Sequence, residues 1–229
     1  MKPYLTLFLP LVISLLTGSC SPAGKVTIEE DPAGKVTVDA PPSDNGITRF
    51  SPLEPFSEPL LFKANISLFK KSYSGLIFIK KVAVDSTTHV VFLSELGLSL
   101  LDLAYKEDCF EVVRVQEFLN RPPVLESMKR DFRTLLLDLS AIESYSLKRE
   151  EGAGGSEEIL RFSHRRERYT YHLTENRGVT LIRRKKSLFR KAQYEMTRDE
   201  KLHIRIVHRG IKLHIDLQQL QHSREHADQ

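Results

Sequence analysis

Apolar and polar residues alternate in short runs from Leu60 to Leu217, and one stretch in the middle switches to a three-to-four-residue period. A period of two puts every second side chain on one face of a strand, whereas a period near 3.6 marks a helix. The alternating or β-branched runs predict strands over Leu60–Phe69, Leu76–Lys81, Val90–Ser94, Leu98–Ala104 and Phe110–Val115, with Gly75 and Gly97 at bends. In the first run Phe62, Ala64, Ile66 and Leu68 share a face. Pro122 and Pro123 then favour a first helical turn. Leu125, Met128, Phe132, Leu135, Leu136 and Leu139 follow at helical spacing, with Glu126, Lys129, Arg130 and Arg133 opposite them. This predicts an amphipathic helix over 122–139 whose apolar stripe lies on a sheet. A loop is expected at Glu150–Ser156. Strands are expected again at Leu160–Phe162, Arg168–Leu173, Val179–Ile182 and Gln193–Thr197. The last two runs, Lys201–His208 and Ile211–Leu217, predict a hairpin across Arg209-Gly210. A two-residue turn there would set Ile206 opposite Leu213, Ile204 opposite Ile215 and Leu202 opposite Leu217. On the other face His203 would meet Asp216, and Arg205 would meet His214. The element order predicts an α+β chain, mostly β.

Composition narrows the class. Of 229 residues, 41% are hydrophobic and 28% charged, which is enough apolar material for a core and excludes a wholly disordered chain. Two cysteines exclude a disulfide-rich scaffold and a four-cysteine zinc site. Upstream of the domain, Lys2 precedes an apolar run from Leu5 to Leu16, shorter than the roughly 20 residues that span a bilayer. Thr17-Gly18-Ser19-Cys20 then resembles the lipobox of bacterial lipoproteins, although Thr17 departs from the usual Leu, Val or Ile. The resemblance implies a signal peptide over 1–19 and a lipid, diacylglycerol with palmitate-type chains, on Cys20. The alternative is an ordinary signal peptide cut near Ser19. Ser21 rather than Asp after the cysteine leans toward the outer membrane, facing the periplasm. Cleavage would remove Lys2 and no acid, taking the net charge from +4 to +3. With Cys20 acylated no intramolecular disulfide is left, and Cys109 is expected as a small buried apolar residue, with a reactive or pairing thiol as the alternative. Residues 20–56 are rich in Pro, Gly, Ser and Asp and carry the near-repeat Pro22–Thr27 and Pro32–Thr37. They predict a flexible spacer, followed by one domain over 57–220 and a disordered tail over 221–229.

No catalytic motif is present: no His-Glu-x-x-His, Gly-x-Ser-x-Gly, Walker loop or Cys-x-x-Cys. A non-enzymatic protein without metal or cofactor is expected. The pair His203–Asp216, with His214 near, offers a metal or acid–base site, weighed against a solvated face whose charges pair across strands. Basic residues cluster late. Arg183, Arg184, Lys185, Lys186, Arg190 and Lys191 are candidates for contact with anionic headgroups or an acidic partner, against a plain solvated face. Export argues against nucleic acid as the partner.

Anchor, spacer, strands, helix and further strands, in that order, resemble the lipoprotein-localisation fold of the Lol carrier and receptor. Bacteroidetes-type envelope lipoproteins of that fold are the nearer likeness. It is carried by Tyr73–Lys81, Ser94–Leu100, Phe118–Leu125 and Asp131–Leu136. The resemblance implies a curved antiparallel half-barrel covered by one main helix. It also implies a concave cavity for a hydrophobic or lipidated ligand, walled by Leu125, Met128, Phe132, Leu135, Leu136 and Leu139. The same residues serve equally as packed core, in which case the protein docks a partner in an envelope complex. By the same resemblance, Leu96 before Gly97 is a candidate membrane contact, against a role as a cap on the core.

Overall fold

The computed structural model describes residues 47–53, 56, 58–84, 86–142, 144–152, 155–175, 178–187 and 191–220. The signal segment, Cys20, the repeat, Arg190 and the C-terminal tail lie outside these residues. Five strands come first: β1 Leu60–Leu68, β2 Lys71–Lys81, β3 Thr88–Ser94, β4 Ser99–Lys106 and β5 Cys109–Val115. Helix α1, Pro122–Leu136, follows. The chain ends in β6 Tyr145–Gly152, β7 Gly155–His164, β8 Glu167–Thr174, β9 Gly178–Lys185, β10 Lys191–Arg198, β11 Leu202–Arg209 and β12 Leu213–Gln219.

All twelve strands form one antiparallel sheet in the order β5-β4-β3-β2-β1-β12-β11-β10-β9-β8-β7-β6. Two meanders, of five strands and seven, join where β1 pairs with β12. The sheet is curved and unclosed, a half-barrel with one helix; the mostly β class follows the residue pattern, and the half-barrel is the shape the resemblance implies. Strands β5 and β6 are its two edges. Register shifts at Phe92/Leu93, Asp102/Leu103 and His172/Leu173 are irregularities of the kind that bend a strand and raise its twist. No helix among the described residues is long and apolar enough to cross a membrane.

The core fills the concave side. Phe62, Ala64 and Ile66 of β1, Ile77 and Ile79 of β2, and Ile204, Ile206, Ile215 and Leu217 of the last hairpin all point inward and are buried. Against them α1 lays Val124, Leu125, Met128, Phe132 and Leu135. The helix begins at Pro122 with no side-chain cap and stops at Leu137, where the backbone turns extended. It is therefore shorter than the 122–139 stripe. Leu139 belongs instead to a 3₁₀ turn, Leu139–Ala141, in which the Ser140 N–H donates to the Asp138 carboxylate.

Four expectations need correction. Gly75 is not at a bend between strands but inside β2, where a Cβ would lie 1.9 Å from the Leu93 carbonyl oxygen. Only glycine permits that approach of β3. The expected loop at 150–156 belongs largely to the β6–β7 hairpin. The last hairpin exists, but its register is shifted by two residues. Ile206 pairs with Ile215, Ile204 with Leu217 and Arg205 with Asp216, because three residues, 210–212, separate the strands rather than a two-residue turn at Arg209-Gly210. The spacer also ends earlier than 56. Ile47, Phe50 and Leu53 are buried in the core around a 3₁₀ turn at Thr48–Phe50.

Candidate functional site

Helix α1 carries more than an apolar stripe into the concave face. Asp131 and Thr134, one turn apart, are both 0% exposed. Beneath them the strands present inward Glu167, Tyr169 and Tyr171 from β8, Arg184 from β9, Tyr194 from β10 and His208 from β11. Asp131 Oδ1 accepts from Arg184 Nη2 at 3.0 Å, from the Tyr194 hydroxyl at 2.9 Å and from His208 Nε2 at 3.0 Å. Thr134 donates to the Arg130 carbonyl at 2.8 Å and accepts from Arg184 Nη1 at 3.2 Å. The Tyr171 hydroxyl donates to the Thr134 carbonyl at 3.2 Å. Arg184 also lies 3.6 Å from Glu167, which Arg130 approaches from the helix at 3.8 Å. Two carboxylates thus meet two buried cations, and every ionic link crosses between helix and sheet or between neighbouring strands.

The geometry sets the protonation of His208. Its Nε2 faces the Asp131 carboxylate and its Nδ1 lies 2.9 Å from the Leu213 carbonyl oxygen. Both partners only accept, so both ring nitrogens must carry a proton, and the side chain is an imidazolium. Burial opposes that charge, but the Asp131 charge and hydrogen bond outweigh it and raise the His208 pKa above its ordinary value. Burial likewise opposes the Asp131 anion, and His208 with Arg184 overcomes it, holding the carboxyl below the usual range. Asp131 Oδ2 is 2.9 Å from His208 Nε2, yet the N–H points at Oδ1 and leaves Oδ2 without a hydrogen-bond donor. Tyr194, fully buried beside Asp131, is held protonated.

A second ionic cluster spans the sheet's opening. Asp108, at the β4–β5 turn, binds His164 Nε2 at 2.6 Å and Arg165 Nε, both from the β7–β8 hairpin, and Arg133 Nε of α1 at 3.2 Å. The Tyr105 hydroxyl adds a donor at 3.1 Å. Burial works against the Asp108 charge, and His164, Arg133 and Arg165 reverse that and lower its pKa. Both turns are strained. Glu107, Asp108, Arg165 and Arg166 all take positive φ without being glycine.

Of the residues singled out by sequence, Leu125, Met128, Phe132, Leu135 and Leu139 are buried and Leu136 is half-buried against the same core. Met128 and Phe132 are 0% exposed, so no water-sized space adjoins either. Leu96 is 88% exposed at the β3–β4 turn and does not cap the core. Arg184 is 5% exposed and belongs to the Asp131 network, so it is not a surface contact. Strand alternation turns it inward while Arg183 and Lys185 point out. Arg183 and Lys186 are exposed, and Lys185 and Lys191 are half-buried. The pair His203–Asp216 does not form: His203 faces Gln218, and Asp216 takes Arg205 Nε at 3.0 Å. Cys109 is half-buried rather than core and lies 3.5 Å from Arg165 Nη2.

Sequence reading missed Asp131, Tyr194 and His208 as a unit. The signal was present: an Asp on the apolar side of the helix stripe and a His in phase with Leu202, Ile204 and Ile206. Fold and interior define a helix-covered, unclosed half-barrel with an ion-paired, filled concave face. Comparison with protein-family models, with curated proteins and with solved structures finds no match to the chain.

Proposed function

We propose that this is a lipid-anchored protein of the bacterial envelope, non-enzymatic, that works as an interaction module through its surface rather than through an interior pocket. The observation that carries this reading is the filled concave face, where α1 is pinned to the sheet by the buried Asp131–Arg184–His208 network and by Met128 and Phe132. A ligand under the helix would have to break charges paired in a dry interior, which is costly. The anchor on Cys20 and the outer-membrane location are part of the proposal and rest on the lipobox-like sequence. Leu96, with Leu98 beside it at 63% exposure, suits the membrane contact that the family resemblance implies.

One feature favours the second reading, binding of a hydrophobic or lipidated ligand. The gap in the sheet is bridged by side-chain ion pairs at Asp108, which release more readily than a backbone ladder. Mass spectrometry of the purified protein separates the two. The interaction reading expects no co-purifying lipid, no displacement of an apolar dye, and a dominant protein partner on crosslinking in cells. A stoichiometric lipid displaced by the dye would overturn it in favour of the ligand reading.

A further inference from the structure

One end of the sheet gathers the β1–β2, β7–β8, β9–β10 and β11–β12 turns. At that end the registers set Arg168 opposite Lys185, Lys185 opposite Lys191, and Lys191 opposite Arg209. Their chain neighbours Glu167, Arg184, Ala192 and His208 are all buried. Four basic side chains therefore stand in one row on the outer face of β8, β9, β10 and β11, about 5 Å from strand to strand. Like charges directly opposite destabilise a sheet, so the pairs Lys185–Lys191 and Lys191–Arg209 cost the fold rather than support it. On β10 the next outward acid is Glu195, two pairs away from Lys191 and facing Arg205.

The row continues into the β11–β12 turn. There the Lys212 carbonyl accepts the Phe69 N–H at 2.8 Å and brings the tip of the β1–β2 hairpin alongside. Phe69 is 54% exposed, held at positive φ, and followed by exposed Lys70 and Lys71. The Arg121 guanidinium lies 5.8 Å from its ring centroid. An aromatic ring kept in water beside a line of cations is the composition of a bilayer-interface contact, in which the cations meet headgroups and the ring enters the acyl boundary.

We infer that the row Arg168–Lys185–Lys191–Arg209, continued by Lys212, Phe69, Lys70 and Lys71, seats this end of the sheet on a membrane surface bearing anionic phosphate headgroups. The inference takes from the proposed function only that a membrane is at hand. It concerns the orientation of the domain on that membrane, independent of any acyl chain.

The test uses the mature chain carrying Cys20→Ser, so that no lipid anchors it and failure of the anchor reading cannot imitate failure of this one. Sedimentation with phosphatidylcholine vesicles, with and without phosphatidylglycerol, is the readout. Binding is expected only to the anionic vesicles, with loss at high salt. Neutralising Lys191→Gln and Arg209→Gln together should weaken it roughly tenfold or more. Phe69→Ser should weaken it while keeping its salt dependence, and Lys80→Gln at the opposite end of the sheet should change nothing. Circular dichroism of each variant controls for folding. Equal binding to both kinds of vesicle would overturn the inference, as would binding unmoved by the paired neutralisation. Binding of an acidic peptide without any vesicle binding would assign the row to a protein partner instead.

Discussion

His208 and Asp131 give the interior a defined response to pH. The His208 pKa is raised above 6.5 in the folded chain. Its contribution to stability is therefore fully present below that value and is lost as pH rises through the higher folded pKa. Asp131 is lowered below 3.8, so its contribution is present above that value and is lost as pH falls through the folded pKa. Urea unfolding should show a plateau between these limits and a decline on either side, and His208→Gln should remove the alkaline decline. An alkaline limb unchanged in His208→Gln would assign that limb to another group. Replacing one partner leaves the others charged and buried. Asp131→Ala should accordingly cost about 3–5 kcal/mol by urea unfolding, more than an exposed substitution such as Glu126→Ala. Phe132→Ala, which removes a fully buried ring, should cost a similar ~3–5 kcal/mol. At this scale the sequence marks the apolar residues, and for Asp131 only its place on the apolar side of the helix, not its partners. A buried charge is allowed only by partners on distant strands, and those partners adjoin it only after folding.

Elements show where a local pattern stops specifying structure. The β11–β12 alternation holds, yet the register differs by two from the one it predicts. A slip of one residue would send every apolar side chain outward, whereas a slip of two keeps each on its face. The pattern therefore fixes register only to the nearest even shift. The turn over 210–212, with the Lys212 carbonyl bound to Phe69 N–H, decides between the even choices. Strand β6 escaped because it is an edge carrying Lys148, Arg149 and Glu150, the charges that keep an edge from pairing further and also erase its alternation. Gly75 marks not a bend but a close approach: the Leu93 carbonyl oxygen lies 1.9 Å from where its Cβ would be. Gly75→Ala should therefore lower the melting temperature clearly, while Gly97→Ala, with open space around it, should act only through its positive φ of 77°. The basic row supplies a prediction of opposite sign. If Lys185, Lys191 and Arg209 repel one another, Lys191→Gln should stabilise the domain by about 0.2–1 kcal/mol in low salt, and the gain should shrink as salt is added.

For the whole molecule, the anchor proposed on Cys20 is open to direct measurement. Intact mass of the protein purified from membranes decides: a lipidated N-terminus supports the envelope anchor, and a mass without lipid removes it. The sequence by itself determined the mostly β class, the strand–helix–strand order, the apolar stripe of α1 and the final hairpin, because each follows from the period of side chains along a continuous segment. Tertiary structure alone decided what lies across from what. It turned Arg184 inward to Asp131 and left Lys185 and Lys191 outside. It drew Ile47 and Phe50 from the expected spacer into the core. It lined Arg168, Lys185, Lys191 and Arg209 into one row from four separate strands. The physical reason is common to all of these. Hydrophobic period is a property of neighbours along the chain, whereas charge pairing, register and close backbone approach are properties of neighbours across the sheet, which exist only once the strands are side by side.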